Sequence, residues 1–112
     1  MKNILEQIQQ GEGKLTEFKR SFQKETIESV VAFANAKGGR IFIGVDDTGK
    51  ISGVNVSNET IQNYINTIKQ NTQPNLIVDI EEYNIENKKI LIIDVQEQPV
   101  KPIAYKNRYL ND

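Results

Sequence analysis

The chain has 112 residues, with 14 lysines and arginines against 15 aspartates and glutamates, so its formal net charge is -1 at pH 7. Hydrophobic residues make up 38% of the sequence, which supports one small domain with a single core and excludes a disordered tail. Because histidine, cysteine and tryptophan are absent, histidine-based catalysis, cysteine nucleophiles, zinc fingers and disulfides are excluded. No apolar stretch approaches the roughly 20 residues of a membrane span, and no signal-peptide core follows Met1. We therefore expect a cytoplasmic protein with no membrane partner.

Two short elements are predicted before residue 20. Residues 5–10 have a helical pattern, and Gly11 and Gly13 end it because glycine lowers helix stability by about 1 kcal/mol relative to alanine. Residues 16–19 suit a strand, in which Glu17 and Lys19 would point to one face and Phe18 to the other.

The middle of the chain predicts a helix and a hairpin. Between residues 24 and 36, apolar side chains recur at the i, i+3, i+4 and i+7 spacing of an amphipathic helix, which Gly38 and Gly39 end. Residues 40–45 form a β-branched and aromatic run, and after a turn residues 51–54 predict the second strand.

A further helix and hairpin are predicted in the second half. Ser57 is a candidate N-cap residue. Helical spacing follows at four apolar positions, Ile61, Tyr64, Ile65 and Ile68. Strands are predicted around residues 76–80 and 90–95, and the tail adds an exposed edge strand near residues 105–110.

This order of elements predicts an α+β fold of two layers. A duplicated αββ unit would place its helices on one face of a mixed, mainly antiparallel sheet. We expect a single domain over residues 1–112. Because the chain stops in a strand-like stretch, we also expect it to be the amino-terminal part of a longer protein, with a carboxyl-terminal domain beyond it.

The acidic residues Glu12, Glu17 and Asp47 are candidates for chemistry. Alternation along a strand places the Glu17 carboxylate beside the Lys19 ammonium, an arrangement in which metal-dependent nucleases hold Mg²⁺ and stabilise the transition state. The alternative is an exposed ion pair with no catalytic role.

Basic residues in the first part of the chain could form a phosphate-binding face. The candidates are Lys14, Lys19, Arg20, Lys24, Lys37 and Arg40. Acidic residues interleave with them, so a solvated surface of mixed charge is the alternative. The four phenylalanines have aliphatic neighbours and are expected in the core rather than on a base-stacking surface.

Three blocks together resemble a known family. They are Gly-Glu-Gly-Lys-Leu-Thr-Glu-Phe-Lys at 11–19, Ala-Phe-Ala-Asn-Ala-Lys-Gly-Gly at 32–39, and the run from Arg40 through Gly-Val-Asp-Asp-Thr-Gly-Lys to Val54. The end of the chain, with Lys101, Pro102, Tyr105, Arg108 and Tyr109, is similar as well. The pattern resembles the Schlafen AlbA_2 domain, found at the front of many bacterial transcriptional regulators and divergent ATPases.

The resemblance implies an α+β fold related to Alba-type proteins and an action on DNA or RNA. In the animal Schlafen nucleases, three acidic residues of this domain bind a divalent metal, and the matching positions here are Glu12, Glu17 and Asp47. It further implies that these three would hold Mg²⁺ or Mn²⁺ while Lys19 steadies the scissile phosphate. The animal enzymes clamp RNA with two such lobes, which a homodimer of this single lobe could rebuild.

Three functions remain open at this point. The first is a nucleic-acid-binding module of a bacterial transcriptional regulator, contacting DNA or RNA through the basic residues. The second is a divalent-metal-dependent endoribonuclease that uses the acidic trio. The third is a protein-interaction or dimerisation domain, which the exposed edge strand near residues 105–110 supports because unpaired edges invite strand addition.

Overall fold

The computed structural model describes residues 3–106, which form three helices and six strands. In chain order they are α1 (Ile4–Gln10), β1 (Thr16–Lys19), α2 (Lys24–Ala34), β2 (Gly39–Ile43), α3 (Asn58–Gln70), β3 (Thr72–Gln73), β4 (Asp79–Ile85), β5 (Lys88–Val95) and β6 (Ala104–Tyr105). None of the helices in this part of the chain is both long and apolar enough to cross a bilayer.

The main sheet has the strand order β1-β2-β5-β4. β1 and β2 run parallel, with α2 as the crossover between them, while the β2–β5 and β5–β4 pairs are antiparallel. β3 and β6 form a separate two-stranded sheet. The predicted α+β class and the mixed, mainly antiparallel sheet are confirmed.

The two predicted hairpins have different outcomes. β4 and β5 form the second hairpin, closed by Glu86 and Asn87 at φ of 54° and 64°, but β4 begins at Asp79, so the strand predicted over residues 76–80 is displaced towards the turn. The predicted strand over residues 51–54 is wrong, because Ile51 makes only an isolated bridge to Val45. Gly44, at φ of 101°, diverts the backbone away from the extended conformation, so the first half holds β2 without its predicted partner strand.

The core lies on both faces of the sheet. α2 and α3 cover one face, where Ile41 and Ile43 of β2 pack with the buried residues of β5. The short helix α1 lies on the other face, where Ile8 packs in the cluster of Phe18 and Phe42. The two long helices therefore share one face as predicted, while α1 adds a small layer to the opposite face.

The phenylalanines lie in or against the core, and only the first part of the predicted tail strand falls within the described residues. Phe18 and Phe42 are buried in edge-to-face contact, and Phe22 and Phe33 pack against the core, as expected. Tyr105 lies in β6, which pairs with β3 and not with the main sheet. The rest of the predicted edge strand, with Arg108 and Tyr109, lies outside the described residues.

The parallel pair β1–β2 positions the candidate site. Parallel strands end at the same edge of a sheet, so the residues after β1 meet the residues after β2. The amides of Gly44 and Val45 both donate to the carbonyl of Lys19, at 2.7 and 3.3 Å. This brings the predicted Gly-Val-Asp-Asp turn against the end of the Glu-Phe-Lys strand.

Candidate nucleic-acid interface

Glu17 is held from two sides on the α2 face of β1. Its Oε2 accepts a hydrogen bond from Ser29 Oγ on α2 and lies 3.4 Å from Lys19 Nζ. Phe18, between them in sequence, is buried in the cluster on the opposite face. The predicted placement of Glu17 and Lys19 on one face is confirmed.

Glu12 is anchored to the same strand by a different bond. Its Oε2 accepts a hydrogen bond of 2.8 Å from the backbone amide of Phe18. β1 is an edge strand, so this carboxylate satisfies a backbone donor that has no neighbouring strand to bind. Glu12 therefore folds the glycine-flanked loop back along the edge of β1.

Asp46 and Asp47 occupy the turn that follows β2. Asp46 Oδ1 accepts from the hydroxyl of Thr48 at 2.6 Å and from the amides of Thr48 and Lys50. The Thr48 hydroxyl is the main cause of a lowered pKa at Asp46, with the Lys50 amide next and the positive charge of Arg20 contributing last. Asp47 is exposed beside it.

The three predicted metal ligands are only partly brought together. Glu12 and Glu17 are both fixed along β1, whereas Asp47 lies in the exposed turn after β2. Within residues 3–106, no three acidic side chains are arranged as a group that could hold a metal ion. In this arrangement the trio does not fit a divalent ion, and the assignment of Glu12, Glu17, Lys19 and Asp47 to catalysis stays a prediction.

Three of the predicted cations lie together where β1 ends and α2 begins. We call Lys19, Arg20 and Lys24 the α2 patch. Lys19 and Arg20 line a cleft of about 270 Å³ together with Ser21, Gln23, Glu25 and Thr26, and Lys24 is the first residue of α2. Arg20 and Lys24 are exposed and, among the described residues, form no ion pair within 4.0 Å.

The other three predicted cations lie at the opposite end of the same strands. Lys37 follows α2, and Arg40 opens β2 opposite Thr16 of β1. Both line a cleft of about 630 Å³ beside α1, and Lys14 is exposed in the loop before β1. The six candidates are therefore divided between two ends of the sheet.

Sequence reasoning did not single out two polar residues of these surfaces. Ser29 interrupts the inner face of α2 three residues after buried Thr26, and Asp94 is the one charge inside the apolar run of β5. A polar residue at an apolar position of a regular pattern was the available signal in both cases.

Comparison with known proteins places the chain in a family. A family model described as Schlafen, AlbA_2 matches residues 12–111. A search of curated proteins gave no significant match.

Two solved structures share the fold at low identity. The solution NMR structure of the N-terminal domain of a protein from Nitrosomonas europaea, described as related to the ATP-dependent DNA helicase RecG, is 22% identical with a TM-score of 0.71, covering 91% of this chain and 77% of that one. The crystal structure of the DIP2311 protein from Corynebacterium diphtheriae is 20% identical with a TM-score of 0.67, covering 81% of this chain. The match spans only 21% of the DIP2311 chain. With the family model matched over nearly all of its length, the chain belongs to the Schlafen AlbA_2 family.

Proposed function

We propose that this domain binds the sugar–phosphate backbone of a nucleic acid through the α2 patch. The observation that carries the proposal is the position of Lys19, Arg20 and Lys24 between the end of β1 and the start of α2, where Arg20 and Lys24 are exposed without an ion pair in the described part of the chain. Unpaired cations at the surface attract phosphates because binding releases the counterions that the phosphates had condensed.

The helix adds to the attraction of the patch. The first turn of α2 presents backbone amides and the positive end of the helix dipole, which favours a phosphate. Glu25 lines the cleft of the α2 patch as well, and with Glu28 and Glu17 it lines the neighbouring cleft, so negative charge limits the positive surface at the start of α2. We therefore expect modest affinity for backbone with few phosphates contacted.

The proposal also covers the kind of protein to which the domain belongs and its oligomeric state. We infer a module of a longer, cytoplasmic bacterial regulator that acts on DNA or RNA as a homodimer, in which a two-fold axis would present the patch twice. Membership in the family and the likeness to a helicase-related N-terminal domain support this setting. Light scattering over a range of protein concentrations tests the dimer, and a strictly monomeric protein would contradict it.

The direct experiment is a binding titration with mapping of the surface. Fluorescence anisotropy with labelled single-stranded and duplex oligonucleotides, at about 50 mM salt, should show micromolar binding. Amide chemical-shift mapping should then place the largest shifts in the residues joining β1 to α2. Arg20→Gln with Lys24→Gln should weaken binding, and Lys69→Gln, which removes one exposed charge near the end of α3, should not. Absence of any binding by the wild-type domain would refute the proposal.

Divalent-metal-dependent RNA cleavage is a second candidate. One observation favours it: Glu12 and Glu17 are both fixed along β1, and Lys19 stands beside Glu17. Asp47 lies in the exposed turn after β2, so a metal that draws it towards Glu12 and Glu17 would tie this turn to β1 and should raise the melting temperature. A rise with Mn²⁺ that Glu17→Gln abolishes would support this candidate, and equal melting curves with and without Mn²⁺ would remove it.

A further inference from the structure

A cleft beside α1 lies on the face of the sheet opposite α2. It has a volume of about 630 Å³ and is bounded by α1, the turn after α2 and the neighbouring ends of β1, β2 and β5. Its floor is a row of side chains from adjacent strands, since Thr16 pairs with Arg40 and Arg40 pairs with Asp94 in the register of the sheet. The Glu17 carboxylate lines a different cleft on the other face.

Arg40 and Asp94 are neighbours on adjacent strands that form no ion pair with each other. They are directly opposite in the antiparallel β2–β5 pair, so their side chains stand on the same face. Nevertheless, the structure has no ion pair within 4.0 Å between them. The Arg40 guanidinium donates from Nη1 to Gln7 Oε1 at 2.9 Å, and its remaining N–H groups have no hydrogen-bond acceptor among residues 3–106.

The two side chains offer complementary chemistry to one ligand. A guanidinium presents a planar fork of donors, and a carboxylate presents two acceptor oxygens. A ligand that uses both must carry two acceptors on one edge and donors on the adjoining edge. Because both residues are only partly exposed, hydrogen bonds to them would form in a partly desolvated setting, where they discriminate strongly between ligands.

We propose that this cleft binds an unpaired guanine base. Guanine carries the acceptors O6 and N7 side by side, the pair that a guanidinium fork recognises. Next to O6 it carries N1–H and the N2 amino group, both donors, which match the Asp94 carboxylate. Adenine places an amino donor where guanine has O6, and the pyrimidines lack the second acceptor of the N7 type. Guanine is therefore the base that satisfies the fork and the carboxylate together.

The walls of the cleft suit a base rather than an inorganic anion. Ile4 and Leu15 line it, and Leu15 is 53% exposed, which leaves an apolar surface for the face of a ring. Asp94 forms no ion pair among the described residues and places negative charge in the lining, which disfavours a free phosphate, whereas Glu97 is paired with Lys101 at 2.7 Å. Lys37 is an exposed residue of the lining and supplies a cation for the phosphate attached to a bound nucleoside.

This inference rests on the proposed function, because it names the base that the nucleic-acid-binding domain reads. The test uses short oligouridylates that differ in one central nucleoside, with affinity measured by fluorescence anisotropy. The guanosine form should bind about ten-fold more tightly than the adenosine, cytidine or uridine forms. Equal affinity for all four would overturn the inference and leave the proposed function standing, whereas no binding of any oligonucleotide would overturn both.

Altered bases and altered side chains assign the contacts. 7-Deazaguanosine lacks the N7 acceptor and inosine lacks the N2 amino group, so each should lose part of the preference. Arg40→Lys keeps the charge and removes the fork of donors, so this variant should bind guanosine and 7-deazaguanosine with equal affinity. Asp94→Asn removes the carboxylate, so this variant should bind guanosine and inosine with equal affinity. Glu59→Gln, an equal loss of negative charge in the first turn of α3, should leave the preference intact. Full guanine preference in Arg40→Lys, with the wild-type melting temperature, would refute the assignment.

Discussion

The salt dependence of the binding affinity measures how many phosphates the α2 patch neutralises. Each neutralised phosphate contributes about -0.7 to the slope of log affinity against log salt on a single strand. Arg20 and Lys24 have no ion pair in the described part of the chain, so they predict a slope of about -1.4. Lys19 forms an ion pair with Glu17 at 3.4 Å. If Lys19 left this ion pair to bind a third phosphate, the slope would reach about -2.1. Affinity should therefore fall about 7-fold to 18-fold between roughly 50 and 200 mM salt.

A double variant and a single-charge control make this slope a test of the patch. Anisotropy titrations of a labelled oligouridylate over a potassium chloride series should give the wild-type slope. In the double variant Arg20→Gln, Lys24→Gln, the slope should shrink by about 1.4, leaving at most the contribution of Lys19. Lys69→Gln should retain the wild-type slope. A double variant with an unchanged slope would show that the phosphates bind elsewhere, and the reasoning from this patch would fail.

Three further predictions concern stability and are measured by urea unfolding. Thr72→Val should cost about 1–3 kcal/mol, since the buried hydroxyl donates to the backbone carbonyls of Ile68 and Lys69 and accepts from the amide of Leu76, and Thr72→Ser should retain most of that stability. Phe42→Ala should cost about 3–5 kcal/mol, because Phe42 is fully buried against Phe18; a loss well below that range would mean that the core closes over the cavity. The lowered pKa of Asp46 means that its carboxylate stabilises the fold above the unfolded-state pKa and loses this effect as pH falls through the folded-state value. The wild type should lose stability below about pH 4 more steeply than Asp46→Asn, and parallel curves would contradict the role of the Thr48 hydroxyl.

The positions of the helices could be predicted from the sequence more accurately than the residues at which they end. The apolar stripe and the Ser57 cap located α2 and α3, because both signals are local. α2 ends at Ala34, two residues before the predicted limit. There the Asn35 side chain donates to the carbonyl of Ile103 and accepts from its amide, at 3.0 and 2.7 Å. This bond joins residues 68 positions apart, so no local pattern could reveal it.

Which strands pair with each other was harder to predict than which side chains of a strand share a face. Alternation placed Phe18 opposite Glu17 and Lys19, and the structure agrees. Alternation does not, however, name the neighbouring strand, and the turn formers after residue 45 favoured a local hairpin. At Gly44 the positive φ ends the extended conformation, and the amides of Ser52 and Gly53 both donate to its carbonyl. β2 therefore takes its neighbours from β1 and β5.

The division of the cations follows from the same alternation once the register is known. Arg40 is two residues before Phe42, so its side chain lies on the face that α1 partly covers. Lys19 follows Phe18 directly and lies on the face of α2. Proximity in sequence suggested one basic surface, but strand geometry sends these two charges to opposite sides of the sheet.

This division bears on which form of nucleic acid the two proposals can accommodate together. The α2 patch lies beyond the carboxyl end of β1, and the cleft beside α1 that we propose for guanine lies near the amino end of β1. The four-residue strand, about 13 Å long, therefore separates the two surfaces along the sheet. A duplex keeps the Watson–Crick edge of guanine paired, which hides N1–H and the N2 amino group from Asp94. A single strand can turn a base into a cleft while its phosphates follow a second surface. If both surfaces act on one ligand, the domain must prefer single strands or loops to duplex, and the Arg40→Lys variant should lose that preference along with its selectivity for guanine.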